Sequence, residues 1–452
     1  MTPTDRILPA DSHTRLARVD LHLTMNAPSQ ASGRGDDAVQ TLLLVTTRFP
    51  YLPYEEFLET EVPYLAKNFH RLIVVPSCTA DAIRPVPDAV TVDVGYARRP
   101  RQTIVQKATT LARYPGLLGR ALSRAVLRPR AFKRAMAAAW RVATDADWFA
   151  EALIRTLRPN ETAVVFCWWM TTQVLAVRIA ARKARRRVFI ISRPQRYDLY
   201  IDDGYGASWP FYPEVLRAID RAFVASKHGR DYIVSLFPWM APKVEVERLA
   251  VEDRGEAPAP AKGSKFVLAS CAYLNPVKRV HLLLEALAIV ARQHPNLEVQ
   301  WHHFGDGPLG TALEERARDI LPANVAAVFH GRVDNKVILS FYRSTPINVF
   351  VNTSSSEGVP VSIMEAQCAG IPVIATAVCG TPELVNDRNG VLLPADPTVE
   401  DVAEAIRTAV EDPERWSLKR QQTRLTWSQY SNAALVYSQF ANRLAALGRD
   451  IN

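Results

Sequence analysis

Residues 347–376 constrain the fold of this chain more than any other stretch. The run Ile-Asn-Val-Phe-Val-Asn at 347–352 is short, apolar and β-rich, which predicts a buried strand. A Ser/Glu/Gly/Pro loop follows, then helical spacing of apolar residues over 361–369, then a second strand over 372–376. Gly370 stands where a helix C-cap is wanted. Strand, loop, helix and strand in this order form a βαβ unit, whose ligands belong at the carboxyl ends of its strands.

The loop has its own chemistry. A helix opening near Val361 points unpaired N–H groups and the positive end of its dipole at the loop mouth, a setting suited to a diphosphate. Gly358, beside Val359 and Pro360, lets backbone approach a ligand. Glu357 lies in the loop, and Glu365 lies about one turn into the helix, where side chains lean back toward the amino end. Two carboxylates so placed suit sugar hydroxyls, a ribose diol and a hexose. By spacing alone they read as ordinary surface acids, one in a turn and one favoured by the helix dipole.

Together with its flanks, the segment Glu357-Gly-Val-Pro-Val-Ser-Ile-Met-Glu365 resembles the signature of retaining GT-B glycosyltransferases of the family-4-like, glycosyl transferases group 1 type. The resemblance covers roughly residues 41–445. It implies an α/β fold of two Rossmann-like, doubly wound domains facing a cleft. It also implies that Glu357 contacts the donor sugar, that Glu365 contacts the nucleotide ribose, and that Gly358, Val359, Pro360 and Val361 border the donor. Lys278, after a predicted strand at 266–271, matches a lysine that meets the donor diphosphate. Tyr273 stands where the family usually has its arginine, so Arg279 is expected to supply the second charge. Gly331-Arg332-Val333 holds the place where relatives bind the nucleobase with backbone groups. Gly305-Asp-Gly-Pro308 and Cys379-Gly-Thr-Pro-Glu383 resemble further family turns and read as structural.

In the first half, Phe49-Pro50 with Glu55-Glu56-Phe57 resembles the acceptor-side loop of enzymes that build bacterial exopolysaccharide, capsule or lipopolysaccharide, although Tyr54 replaces a common glycine. Arg193, Gln195 and Asp198 occupy an acceptor-side motif in which Gln195 replaces the usual histidine. Gln195 cannot act as a base, but its amide can still bond a donor hydroxyl. His228 in Ser226-Lys-His-Gly229 reads equally as a ligand contact or a capping-turn residue.

Alternating strands and helices predict parallel sheets throughout. The boundaries read from sequence are a loose tail (1–38), an acceptor-binding domain (39–251), a Pro/Ala-rich linker (252–265), a nucleotide-sugar domain (266–425) and a helix (426–452) returning to the first domain. One continuous helix is expected over 427–447, and domain closure about the linker is expected to exclude water. No run is long and apolar enough to cross a membrane, and no charged-then-apolar leader pattern is present. Five scattered cysteines without C-x-x-C spacing suit reduced thiols in a cytoplasm. Asp145-Ala-Asp147 spells D-x-D inside a helical stretch rather than a loop, so no metal and no other cofactor is expected.

The charge is unevenly placed. Twelve Lys/Arg and no acid fall within 98–141, interleaved with Ile104, Val105, Leu122, Phe132 and other apolar residues. Such basic amphipathic segments lie on anionic membranes, although an Arg-rich solvated face has the same composition. Nucleic acid is disfavoured, because no helix-turn-helix, zinc or RNA-binding signature accompanies the charge. The expected partners are a nucleoside diphosphate sugar, a lipid-linked saccharide or polysaccharide acceptor, and an anionic surface at the inner face of the plasma membrane. A nucleotide-sugar epimerase, a phosphorylase and a catalytically degenerate GT-B subunit remain open as alternatives.

Overall fold

A computed structural model describes residues 41–100, 102–127, 132–201 and 210–449. The predicted tail at 1–38 and the basic residues Arg101, Arg128 and Arg130 lie outside the described residues. The first half opens with β1 (Thr41–Thr46), α1 (Phe57–Asn68), β2 (Arg71–Pro76) and β3 (Val90–Val92). Three helices follow, α2 (Ile104–Ala112), α3 (Pro115–Leu127) and α4 (Phe132–Thr156). Next come β4 (Thr162–Cys167), α5 (Thr172–Ala184), β5 (Arg187–Ser192), α6 (Arg196–Leu199) and α7 (Tyr212–Ala218). The half closes with β6 (Arg221–Val224), α8 (Lys227–Leu236) and β7 (Val244–Val246).

The second half begins with β8 (Lys265–Cys271), α9 (Val280–Gln293), β9 (Glu298–Phe304), α10 (Gly310–Ile320) and β10 (Val325–Phe329). It continues through α11 (Asn335–Ser344), β11 (Val349–Asn352), α12 (Val361–Cys368), β12 (Val373–Thr376) and β13 (Gly390–Leu393). Three helices end it: α13 (Val399–Glu411), α14 (Pro413–Tyr430) and α15 (Ala433–Arg449).

Both sheets are parallel. Their strand orders are β3-β2-β1-β4-β5-β6-β7 and β10-β9-β8-β11-β12-β13. Helices cover both faces, so the inner strands are near-continuous apolar runs rather than alternating ones. In β1, Leu43 and Val45 join the core under α4 and α5, while Leu42 and Leu44 join a core on the opposite face. That second core runs through Phe440 and Leu444 of α15 to Val359, Ile363 and Met364 of the second half, so one apolar cluster spans both sheets. A third core fills the outer face of the second sheet around Trp301, Leu284 and Ile406. The short strands β3, β7 and β13 are absent from the sequence reading, because three or four residues are too few to carry a period.

Two corrections concern the path between the halves. The helix expected over 427–447 is broken, with α14 ending at Tyr430 and α15 starting at Ala433. The break arises where Ser431 and Asn432 leave helical geometry to pair with Val251. Val251 donates to the Ser431 carbonyl at 2.9 Å, and Ala433 donates to the Val251 carbonyl at 3.1 Å. Both crossings between halves therefore run side by side at this point. The stretch 252–265 is itself docked on the second half, with Ala257 donating to Ala369 at 2.8 Å and Ala261 donating to Pro346 at 3.0 Å. The stretch 252–265 thus packs as part of the second half, and the two crossings meet at 251 and 431–432.

Candidate functional site

In an open parallel sheet, neighbouring loops part where the strand order reverses, and the crevice lies at the carboxyl ends of those strands. The second sheet reverses between β8 and β11, and the first reverses between β1 and β4. The predicted donor residues fall at the former. Asn275 caps a tight 3-10 turn over Pro276–Lys278 that follows β8. Thr353, after β11, donates through Oγ1 to the carbonyls of Lys278 and Arg279 at 3.1 and 3.0 Å, so the two loops are stitched together. Across this seam Lys278 Nζ meets Glu357 Oε1 at 2.5 Å, and the Asn352 amide donates to the same oxygen at 3.4 Å. Glu357 is buried and Lys278 is partly exposed.

Helix α12 opens at Val361 with Pro360 as its N-cap, a residue that offers no side-chain oxygen to the first turn. Val359 is buried, and Gly358 lies against the backbone of Arg196 from the first half. Gly370 closes the helix with φ of 71°, the left-handed turn that its position in the sequence suggested. Glu365 is buried one turn in and accepts from Asn335 Nδ2 at 2.7 Å. Burial pushes its carboxyl up from 4.5 to about 7, against the pull of the Asn335 amide. Asn335 opens α11, just beyond the exposed Arg332 and the half-buried Val333. Gly305 in the neighbouring turn has φ of 126°, and a Cβ there would lie 2.1 Å from the Ala272 carbonyl oxygen, so that turn is structural.

Four predicted site residues are engaged elsewhere. Arg279 was expected on the diphosphate. Its guanidinium instead donates to the Thr353, Ser354 and Ala395 carbonyls at 2.9, 3.1 and 2.9 Å, and pairs with Asp396 at 2.8 Å. It is a clamp on the loops after β11 and β13. Glu55 was expected to face the acceptor. Its carboxylate accepts from the N–H groups of Thr47, Arg48 and Phe49 at 3.0, 2.6 and 2.6 Å and from the Trp169 indole at 2.6 Å. It ties the loop after β1 to the loop after β4.

Arg193 is fully buried and pairs with the fully buried Glu61 at 2.8 Å, lying 4.3 Å from the centroid of Phe440 in α15. Burial raises the Glu61 carboxyl, and Arg193 opposes that shift. A desolvated guanidinium of this kind is a core element, because removing one partner of a buried pair costs about 3–5 kcal/mol. Asp198 is also buried and accepts from Met170 and Gln195 backbone N–H groups at 2.5 and 2.6 Å. Burial pushes its carboxyl up to about 7 against those bonds. Gln195 is partly exposed and donates its amide to the Arg193 carbonyl at 3.2 Å.

Contacts across the cleft were not visible in the sequence. Glu383 accepts from the Lys227 and His228 N–H groups at 2.7 and 3.3 Å and from Arg248 at 3.2 Å, so the second half caps α8 of the first. Arg196 Nε donates to Ser356 Oγ at 2.9 Å, and Lys336 approaches Glu59 at 3.8 Å. His228 bonds Tyr200 Oη through Nδ1 at 2.8 Å. Asp145 and Asp147 lie on α4 and are engaged by Arg99 and by Arg113, Tyr114 and Lys183.

The family profile described as Glycosyl transferases group 1 matches residues 253–430. A phosphatidylinositol N-acetylglucosaminyltransferase subunit of Arabidopsis thaliana is 30% identical over 201 residues, covering 43% of this chain and 42% of that protein. A D-inositol 3-phosphate glycosyltransferase of Saccharomonospora viridis is 28% identical over 49% of this chain and 56% of its own length. The chain thus spans about half the length of these curated relatives. Among solved structures, the apo lipopolysaccharide outer core galactosyltransferase WaaB superposes with a TM-score of 0.62 at 15% identity, over 91% of this chain and 100% of that one. HepE of Anabaena in complex with UDP gives 0.61 at 16% identity, over 90% and 100%. The fold of both halves together is GT-B.

The Glu365 shift has a testable sign. Its folded value lies above its unfolded one, so its contribution to stability is complete below about pH 4.5 and is lost as pH rises through about 7. Without ligand, Glu365→Gln is expected to be more stable than the parent at about pH 8 by on the order of 2–3 kcal/mol, and nearly equal at about pH 4.5. Urea denaturation at both values checks this; parallel pH profiles would contradict it. Glu61 and Asp198 titrate in both proteins and cancel in the difference.

Proposed function

We propose that this chain is a retaining glycosyltransferase that moves a sugar from a nucleoside diphosphate donor to a lipid-linked saccharide or polysaccharide acceptor. The observation that carries this reading is the Lys278–Glu357 pair, which joins the loops after β8 and β11 beside the start of α12. In the proposed reaction the bond from the sugar C1 to the diphosphate breaks while an acceptor hydroxyl bonds C1 on the same face. Lys278 and the N–H groups opening α12 stabilise charge on the departing phosphate, which takes the acceptor's proton. Glu357 and the adjoining loop orient the hexose, and Glu365 with Asn335 holds the ribose. Glu55 and Asp198 support a route without a protein nucleophile, because their oxygens are engaged by backbone N–H groups. WaaB and HepE, the latter solved with UDP, support a nucleotide donor through their shared fold.

The proposed setting is the inner face of the plasma membrane. Among the described residues no helix is long and apolar enough to cross a membrane. In the segment 98–141, Arg99 and Arg113 pair with Asp145 and Asp147, and Lys107 lies over Trp140. Arg98, Arg120, Lys133, Arg134 and Arg141 are exposed. Beside them Ile104 and Val105 are 84% and 72% exposed, with Leu122 and Phe132 also at the surface. Bare aliphatic tips among cations suit an anionic lipid surface, at about 1 kcal/mol per basic residue near it.

A panel of UDP-, GDP- and ADP-sugars is expected to contain one donor that binds saturably and slowly releases its nucleotide. Lys278→Ala is expected to lower release by at least about 100-fold, and Glu365→Ala to weaken binding by about 10-fold or more. Binding without release, even with membrane lipid extract as acceptor, would favour a non-catalytic subunit in which Gln195 marks the loss of activity. For the surface, the protein is expected to float with vesicles containing anionic phospholipid and not with neutral ones. Ile104→Asp/Val105→Asp should abolish flotation while leaving donor binding intact; flotation unchanged by the double substitution would contradict the assignment.

A further inference from the structure

Tyr54 and Glu55 are consecutive non-glycine residues with φ of 78° and 58°. Left-handed backbone is strained for an L-residue, and it persists only where the surroundings over-determine it. Here the Glu55 carboxylate, bonded to three successive N–H groups and the Trp169 indole, fixes the turn. The result is that Glu55 is turned inward while the Tyr54 side chain stands out, 59% exposed. It stands toward the other half of the molecule, since the Arg332 guanidinium lies 5.8 Å from the Tyr54 ring centroid. Arg332 precedes Asn335, the partner of Glu365, and Lys336 meets Glu59 on the same edge. An aromatic ring from the first half therefore stands opposite the end of the cleft that the function proposed above gives to the nucleoside.

We infer that Tyr54 is a donor-binding residue whose ring stacks on the nucleobase, which replaces the Arg332 guanidinium on that face. A ring face that accepts a planar cation can accept a planar base, and base–aromatic stacking is sequence-tolerant. Tyr54 thus contributes affinity for the nucleoside part of the donor whatever the sugar. It also makes the strained turn functional, since the strain aims the ring. This inference rests on the nucleotide-sugar reading.

The test measures binding of the matched nucleoside diphosphate, and of inorganic pyrophosphate as a probe that lacks the base, to wild type, Tyr54→Phe, Tyr54→Ala and Tyr54→Gly. Tyr54→Ala and Tyr54→Gly are expected to weaken the nucleoside diphosphate about 10-fold and leave pyrophosphate unchanged, while Tyr54→Phe stays within about two-fold. Tyr54→Gly should melt no lower than wild type, because glycine takes positive φ without strain, so its loss of binding cannot be a loss of fold. Unchanged nucleotide affinity in Tyr54→Ala, or an equal loss of pyrophosphate, would overturn the inference alone. Absence of nucleoside diphosphate binding by wild type would overturn the functional reading on which it rests.

Discussion

In a parallel sheet each loop crosses to one side, and where the strand order reverses two neighbouring loops diverge and leave a crevice that backbone cannot fill. This chain has two such reversals, β1/β4 in one sheet and β8/β11 in the other. What surrounds each crevice follows from the need to hold divergent loops in place. At the first, Glu55 binds the loop after β1 and reaches Trp169 after β4. At the second, Thr353, Arg279 and the Lys278–Glu357 pair link the loops after β8 and β11. The latter sets the Lys278 ammonium beside the amino end of α12.

Four of the buried carboxylates differ in what occupies their oxygens. Glu55 and Asp198 are held by backbone donors and fix loops in place. Glu357 and Glu365 bond side chains alone, Lys278 and Asn352 for one and Asn335 for the other. Side-chain partners can rotate away or share an acid with an incoming hydroxyl, whereas backbone donors cannot move without moving the loop.

The sheets and the loop leading into α12 were legible in the sequence because their signals are local. Strands buried on both faces show as unbroken apolar runs, such as 42–45 and 349–351. Gly370 marked the end of α12 through a conformation that its neighbours need. The inward turn of Glu55, Arg193 and Asp198 was not legible, because spacing does not show which carboxylate a loop's N–H groups will enclose, and because Trp169, Glu61 and Met170 are partners distant in the chain. The break at 431–432 was hidden for the same reason, being set by pairing with Val251. Arg279 was expected to supply the second charge on the diphosphate, since sequence cannot show that three carbonyls converge on it.

The most direct measurement is backbone hydrogen exchange with and without a saturating nucleoside diphosphate sugar. The account expects new protection over 353–363 and 331–336, the loop into α12 and the segment carrying Arg332 and Asn335, with little change in the basic helices at 104–141. Saturable binding with protection elsewhere, for example over α10 and β10, would place the donor away from the β8/β11 crevice and contradict the account.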